Sequence, residues 1–254
     1  MPSARTVVRP SPVFLAVVAV TVAGGVLAWQ APPRSTAAGV GVFILVVAGW
    51  VVTVCLHEFA HAVTAWRYGD HDAAARGYLT LNPLRYSHPL LSIGLPVLFI
   101  AIGGIGLPGG AVYLRTDLRS PRETRRIALA GPAVNAATAV ALLLVIRLFA
   151  DTDSRPVFWW GLSFLAFLQV MATVLNLLPV PGLDGYAAVE PSLRPSTRRS
   201  LDRYKGLGML ALIALLFVPT INRAFFDAIY ALVELSGVPA DWARYGGFVM
   251  RFWT

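Results

Sequence analysis

The sequence predicts an all-α polytopic membrane protein, with a three-helix catalytic core and peripheral transmembrane helices around it. Three observations predict this class. Hydrophobic residues make up 57% of the chain and charged residues 13%, and the mean hydropathy is +0.66, outside the range of soluble globular domains. Several uncharged runs are each long enough to cross the ~30 Å hydrocarbon core of a bilayer as a helix. The cations fall mainly in the loops between those runs, as the positive-inside rule describes for membrane proteins. The net charge of +8 therefore speaks for topology and against nucleic acid, since no basic face is interleaved with exposed aromatic residues. A single cysteine excludes a disulfide framework and a Cys-rich metal cluster. No repeat or low-complexity linker marks an appended soluble domain, so residues 1–254 read as one integral-membrane domain with its core at about 38–205.

The first apolar run, about 13–29, follows Arg5 and Arg9 and ends at Trp29-Gln30-Ala31-Pro32-Pro33. A cleaved signal peptide is the rival reading, because Ala28 is small and the run is short. The run exceeds a typical signal core, so a retained peripheral helix is expected, its N-terminus in the cytoplasm.

The second run, Ala37 to Trp66, is 30 residues nearly free of charge. Near its far end stand His57, Glu58 and His61. Ionisable groups at membrane depth are costly and mark function by default. On a helix, His57 and His61 lie one turn apart on one face, where their imidazoles can share a metal. Glu58 is then placed as general base toward a water activated by that metal. Taken singly, each residue has a plainer explanation: a packed histidine, or a buried glutamate paired with Arg67. The H-E-x-x-H spacing inside an apolar helix favours metal for the set. Cys55 points away from that face and reads as a buried hydrophobe. Counting ~1.5 Å per residue from Val40, His57 lies roughly 25 Å along the helix, near the cytoplasmic boundary.

Residues 67–89 are polar and carry Arg67, Arg76 and Arg85, with His71 and His88 as loop residues rather than ligands. Residues 90–107 are apolar but broken by Gly94, Pro96, Gly103, Gly104 and Gly106. A loop at 115–126 follows, with five arginines against Asp117 and Glu123. One simple crossing by 90–107 would put that loop outside, against the positive-inside bias. The expectation is a re-entrant or surface-lying segment, tolerated where protein or water covers its backbone. Gly109 to Leu114 reads either as a turn or as a short β-edge able to pair with an unwound substrate.

Residues 127–149 form the next span. Asn135 within it has a role or is interhelical glue. After a short turn at 151–155, residues 157–178 return inward and end in Asn176-Leu177-Leu178-Pro179-Val180-Pro181-Gly182-Leu183-Asp184-Gly185. Pro179 and Pro181 stop the helix. Asp184 then suits a carboxylate ligand completing a His-His-carboxylate zinc site with an open fourth position, the alternative being a helix N-cap. A shared metal requires the runs 38–66 and 157–178 to head the same way. The five cations of 194–205, opposed only by Asp202, mark a further cytoplasmic loop. A last span begins at 207–218 and breaks at Pro219, and 221–235 either extends it or lies on the surface.

His57-Glu58-Phe59-Ala60-His61, Gly131-Pro132-Ala133-Val134-Asn135 and Asn176-Leu177-Leu178-Pro179 with Leu183-Asp184-Gly185 occur in the order seen in the site-2 protease family of intramembrane zinc metalloproteases. Gly77-Tyr78-Leu79-Thr80-Leu81-Asn82-Pro83 also resembles a compact bacterial branch of it. The resemblance covers roughly 38–205. It implies three core helices around one Zn2+ held by His57, His61 and Asp184, with Glu58 as catalytic base. It also implies Asn135 and Asn176 near the substrate backbone or oxyanion, and single-span membrane proteins as substrates. No PDZ-like insertion stands between the motifs, and His88 replaces the aspartate usual before the proline at Pro89. The reading is thus a multi-pass cell-membrane zinc endopeptidase acting near the cytoplasmic side. A catalytically silent membrane adaptor and a metal transporter using the same metal site are the alternatives. Retention of Glu58 opposes the first, and the lack of a continuous polar path opposes the second.

Overall fold

Ser11 opens the first helix, α1 (Pro12–Gln30), by accepting a hydrogen bond from the Phe14 amide at 3.1 Å, with proline at the first helical positions. This computed structural model describes residues 8–85 and 120–253, with residues 94 and 97. Ser35 caps α2 (Thr36–Arg67) in the same way, through the Ala38 amide at 3.1 Å. The two helices form an antiparallel hairpin whose backbones nearly touch. A Cβ on Gly24 would stand 2.6 Å from the Leu45 amide nitrogen, and one on Gly41 2.5 Å from that of Ala28. Small residues at a helix crossing permit such approach where the lipid tails supply no hydrophobic drive between helices. The far side of α1 presents Leu15, Val20, Val22 and Val26, an apolar face suited to lipid.

Beyond α2 lie a one-turn helix, α3 (Asp72–Ala75), and two 3-10 turns, Tyr78–Thr80 and Pro83–Arg85. Tyr78 and Leu79 are buried against Ala62, and the Thr80 carbonyl accepts from the Ser11 amide at 2.8 Å. The start of α1 and the loop after α2 therefore share one end of the bundle. Apart from residues 94 and 97, the segment expected to be re-entrant or surface-lying (90–107), the turn or β-edge at Gly109 to Leu114, and His88 fall outside the described residues.

The next helix, α4 (Pro121–Phe149), starts six residues before the expected 127. A capping box explains the difference. Ser120 Oγ accepts from the Glu123 amide, and Glu123 Oε2 accepts from the Ser120 amide at 2.9 Å. Half of the basic loop at 115–126 is thus the first turns of a helix. Arg126 donates to the Tyr68 hydroxyl at 3.0 Å, so Ser120 and the loop after α2 lie at the same end. Asp151, in the turn at the other end, accepts from the Ser154 hydroxyl at 2.6 Å and from the Ser154 and Asp153 amides, which holds its carboxyl below the usual carboxylate range.

α5 (Pro156–Leu177) runs parallel to α2. Gly161 faces Val42, Gly49 faces Leu165, and Gln169 bonds Thr53. The sequence requirement that these two runs head the same way is met. α4 runs against both, since Gly131 near its start meets the histidines near the end of α2. After α5 come α6 (Asp184–Val189), a 3-10 turn (Glu190–Ser192) and α7 (Pro195–Asp202). Arg125 reaches the Ala188 carbonyl and Ser192 Oγ, and Arg198 pairs with Glu190 at 2.7 Å.

α8 (Lys205–Leu216) and α9 (Pro219–Glu234) are bent by 92° at their junction. Gly208 in α8 lies on the Pro181 carbonyl, while Gly237 just past α9 lies on Arg147, at opposite ends of the bundle. The pair thus reaches from one end of the bundle to the other, as a span broken at Pro219 would. A last helix, α10 (Ala240–Met250), has no counterpart in the hydropathy pattern. It forms because Gly246 and Gly247 let it press on Trp160 and Phe164, and Phe252 beyond it covers Gly39. Among the described residues, four helices (α1, α2, α4 and α5) are long and apolar enough to cross a membrane, or five if the bent pair counts as one span. The chain is a multi-pass, all-α membrane protein.

Candidate metal centre

One turn of α2 brings His57 and His61 to the same face, and both are buried. Their Nε2 atoms are 3.0 Å apart. Asp184 arrives from the broken end of α5. Gly182 takes φ +100°, open to glycine without strain, and Gly185 rests directly on the Leu177 carbonyl. The chain thereby folds back, so that Asp184 Oδ2 is 3.2 Å from His57 Nε2 and Oδ1 is 3.4 Å from His61 Nε2. Asp184 is the first helical residue of α6, and Leu183 holds the cap position. The N-cap alternative is not the one realised.

These distances test whether zinc fits. Donors ~2.0–2.1 Å from one tetrahedral zinc stand about 3.3 Å from one another. The three separations, 3.0, 3.2 and 3.4 Å, bracket that value, and the His-His-carboxylate donor set is a zinc set. The ligand atoms of His57, His61 and Asp184 all lie within 4.8 Å of one another. His71 stacks edge-on against Trp66 instead, and Cys55 is fully buried in the core, as the sequence indicates for both.

α4 supplies the rest of the centre. His61 Nδ1 is 2.7 Å from the Ile127 carbonyl. A carbonyl only accepts, so Nδ1 carries the proton and Nε2 presents its lone pair to the metal position. Pro132, inside α4, leaves the Ala128 carbonyl without its helical donor and loosens the helix at this turn. Gly131 is the third element. A Cβ there would collide with His61 Nε2 and stand 2.6 Å from His57 Nε2. The backbone of α4 thus forms a wall of the cradle, and a side chain at 131 would fill the space the ion needs. Gly131 is quoted in the sequence motif, but its role is visible only once the helices are packed.

Glu58, adjacent to the first ligand, is 1% exposed. Asn135 and Asn176 are buried and line a small cavity with His57, Thr53, Gln169 and Trp50. Thr53, Gln169 and Trp50 are not singled out by the sequence reading.

Fold and site together define a class: a multi-pass membrane protein with a His-His-Asp centre and a glutamate beside the first histidine. The comparisons agree. The chain is 56% identical over 251 residues, 98% of its length and 96% of the relative's, to a protein of Mycolicibacterium smegmatis named "Putative zinc metalloprotease Rip2". A Mycobacterium tuberculosis protein of the same name is 54% identical over 251 residues, at the same coverage of both chains. A Bacillus subtilis protein named "Putative zinc metalloprotease YwhC" is 30% identical over 176 residues, 66% of this chain and 78% of that one. No protein-family profile and no solved structure matches the chain. The chain belongs to the site-2 protease family of zinc metalloproteases, and its cofactor is one Zn2+.

Proposed function

We propose that the chain is an intramembrane endopeptidase that cleaves single-span membrane proteins near the cytoplasmic face. His57, His61 and Asp184 are its zinc ligands and Glu58 its general base. One observation carries the reading: three donor atoms from two separate helices meet at tetrahedral spacing, beside a buried glutamate. Zinc at that position supplies polarisation of the scissile carbonyl and acidification of a water. Glu58 takes the water's proton and returns it to the leaving amine. Asn135 and Asn176 are buried beside His57, which supports assigning them the substrate backbone or the developing oxyanion. A substrate helix has to unwind first, because its carbonyls are engaged in i to i−4 hydrogen bonds.

The depth of the site supports cleavage near one face. α2 has 32 residues, ~48 Å at 1.5 Å per residue, longer than the ~30 Å core. His57 lies roughly 32 Å from Thr36 by the same rise, at the far boundary of the bilayer, at the end where the arginine-rich loops gather. The positive-inside rule makes that end cytoplasmic.

The test is purification of the wild type, Glu58→Gln and Asp184→Ala in detergent, with zinc content and cleavage of a single-span reporter measured for each. The wild type is expected to hold one zinc and cleave. Glu58→Gln should keep the zinc and lose about 100- to 10,000-fold in rate, the range for a missing acid–base group. Asp184→Ala should lose both. Cleavage by Glu58→Gln at the wild-type rate would overturn the assignment of the base.

A further inference from the structure

Behind the metal centre, between α2, α4 and α5, the cavity lined by Trp50, Thr53, His57, Asn135, Gln169 and Asn176 has room for about one water molecule. It is too small for a substrate side chain. Three buried polar atoms of its lining have no hydrogen-bond partner among the described residues: Trp50 Nε1, His57 Nδ1 and Gln169 Oε1. In a membrane-spanning bundle, a polar atom left in this state is costly. All three belong to residues that line one small cavity, the space available to something that pairs with them.

The hydrogen-bond directions can be followed atom by atom. The Thr53 hydroxyl donates to the Trp50 carbonyl at 2.8 Å. Its single proton is thereby used, so Thr53 Oγ1 accepts from Gln169 Nε2 at 2.9 Å. That contact holds the Gln169 amide with its donor end on Thr53 and leaves Oε1 as an acceptor elsewhere. Trp50 Nε1 is a donor only. His57 Nε2 faces His61 and Asp184. When Nε2 binds a metal, the proton of the neutral ring resides on Nδ1, which is then a donor. One water in the cavity would match the donors and acceptors of the set: it would accept from Trp50 and His57 and donate to Gln169, with one proton left for the carboxamide oxygen of Asn135 or Asn176.

We propose that this cavity is a structural water site, through which Gln169, oriented by Thr53, holds His57 in the tautomer and rotation that direct Nε2 at the metal. The other ligand, His61, obtains the same service directly from the Ile127 carbonyl. Gln169 and Thr53 are positioning residues that act on zinc through the water and His57. The inference rests on the assignment of His57 as a zinc ligand.

The experiment is competition of the full-length protein, in detergent, against a zinc chelator of known affinity. Partners of metal-bound histidines typically change metal affinity by about 10- to 100-fold when removed. Gln169→Met, similar in shape but without the acceptor, should weaken zinc by that factor at unchanged helix content and elution profile. Thr53→Val should shift affinity the same way, and Thr53→Ser, which keeps the hydroxyl, should restore it. Wild-type affinity in folded Gln169→Met would overturn the proposal. Should Gln169→Met not fold, equal affinities for Thr53→Val and Thr53→Ser would overturn it alone. A wild type that takes up no zinc would overturn the ligand assignment itself and this inference with it. Wild-type binding with unaffected variants would leave the assignment standing.

Discussion

At the scale of single residues, the site divides into groups that carry chemistry and groups that make room for them. Gly131 belongs to the second kind. Its replacement by alanine puts a methyl group onto His61 Nε2, and the backbone of α4 cannot retreat without breaking the bond between His61 Nδ1 and the Ile127 carbonyl. Gly131→Ala is expected to lose bound zinc and to cut reporter cleavage by about 100-fold or more, the penalty for displacing reacting groups by about 1 Å. Metal analysis beside the cleavage assay checks it, and full zinc occupancy would refute the steric account. His57, Glu58 and His61 are legible in the sequence because their chemistry is tied to residue type and to a one-turn spacing, and Asp184 because Pro179 and Pro181 break the helix just before it. Gly131 is not legible in this way, since a glycine declares its purpose only by what it faces. Gln169 and Thr53 are partners 116 positions apart, a relation no local pattern carries.

At the scale of elements, the apolar runs locate α1, α2 and α5 to within two residues at each end, because composition alone decides which segments tolerate lipid. The departures come from local or tertiary effects. α4 begins early through the reciprocal Ser120–Glu123 cap, a short-range signal present in the sequence but masked there by the density of arginines. α10 depends on glycines packed against α5, which hydropathy does not register. The α1–α2 hairpin gives a direct test of glycine contacts. Gly41→Ala forces a methyl group against backbone and is expected to cost about 1–3 kcal/mol, as overpacking does. Gly206→Ala in α8, with no neighbour within 4 Å of its Cβ position among the described residues, should be neutral or stabilising by up to about 1 kcal/mol. Thermal unfolding of the two variants side by side distinguishes them, and equal shifts would argue against backbone contact in the hairpin.

At the scale of the whole molecule, the loops at 67–85, 120–126 and 194–205 are joined at one end through Arg126–Tyr68, Arg125–Ser192 and Arg198–Glu190. Asp151 and Asp153 lie at the other. The sequence alone predicts this gathering from charge bias, and the structure reaches it through contacts. Cysteines introduced at Arg199 and at Asp153, both exposed, should therefore label from opposite sides of the membrane, Arg199→Cys from the cytoplasm. The native Cys55 is fully buried and should stay silent. Labelling of both positions from one side would refute the topology.

The bend between α8 and α9 has an effect that reaches both tails of the polypeptide. Ser11 is tied to the loop after α2, whereas Phe252 covers Gly39 at the start of α2, so these two residues stand at opposite ends of α2. If the bent pair crosses the bilayer, the halves of a split fluorescent protein fused to the two tails are expected in different compartments and should stay dark, and fluorescence would refute that crossing.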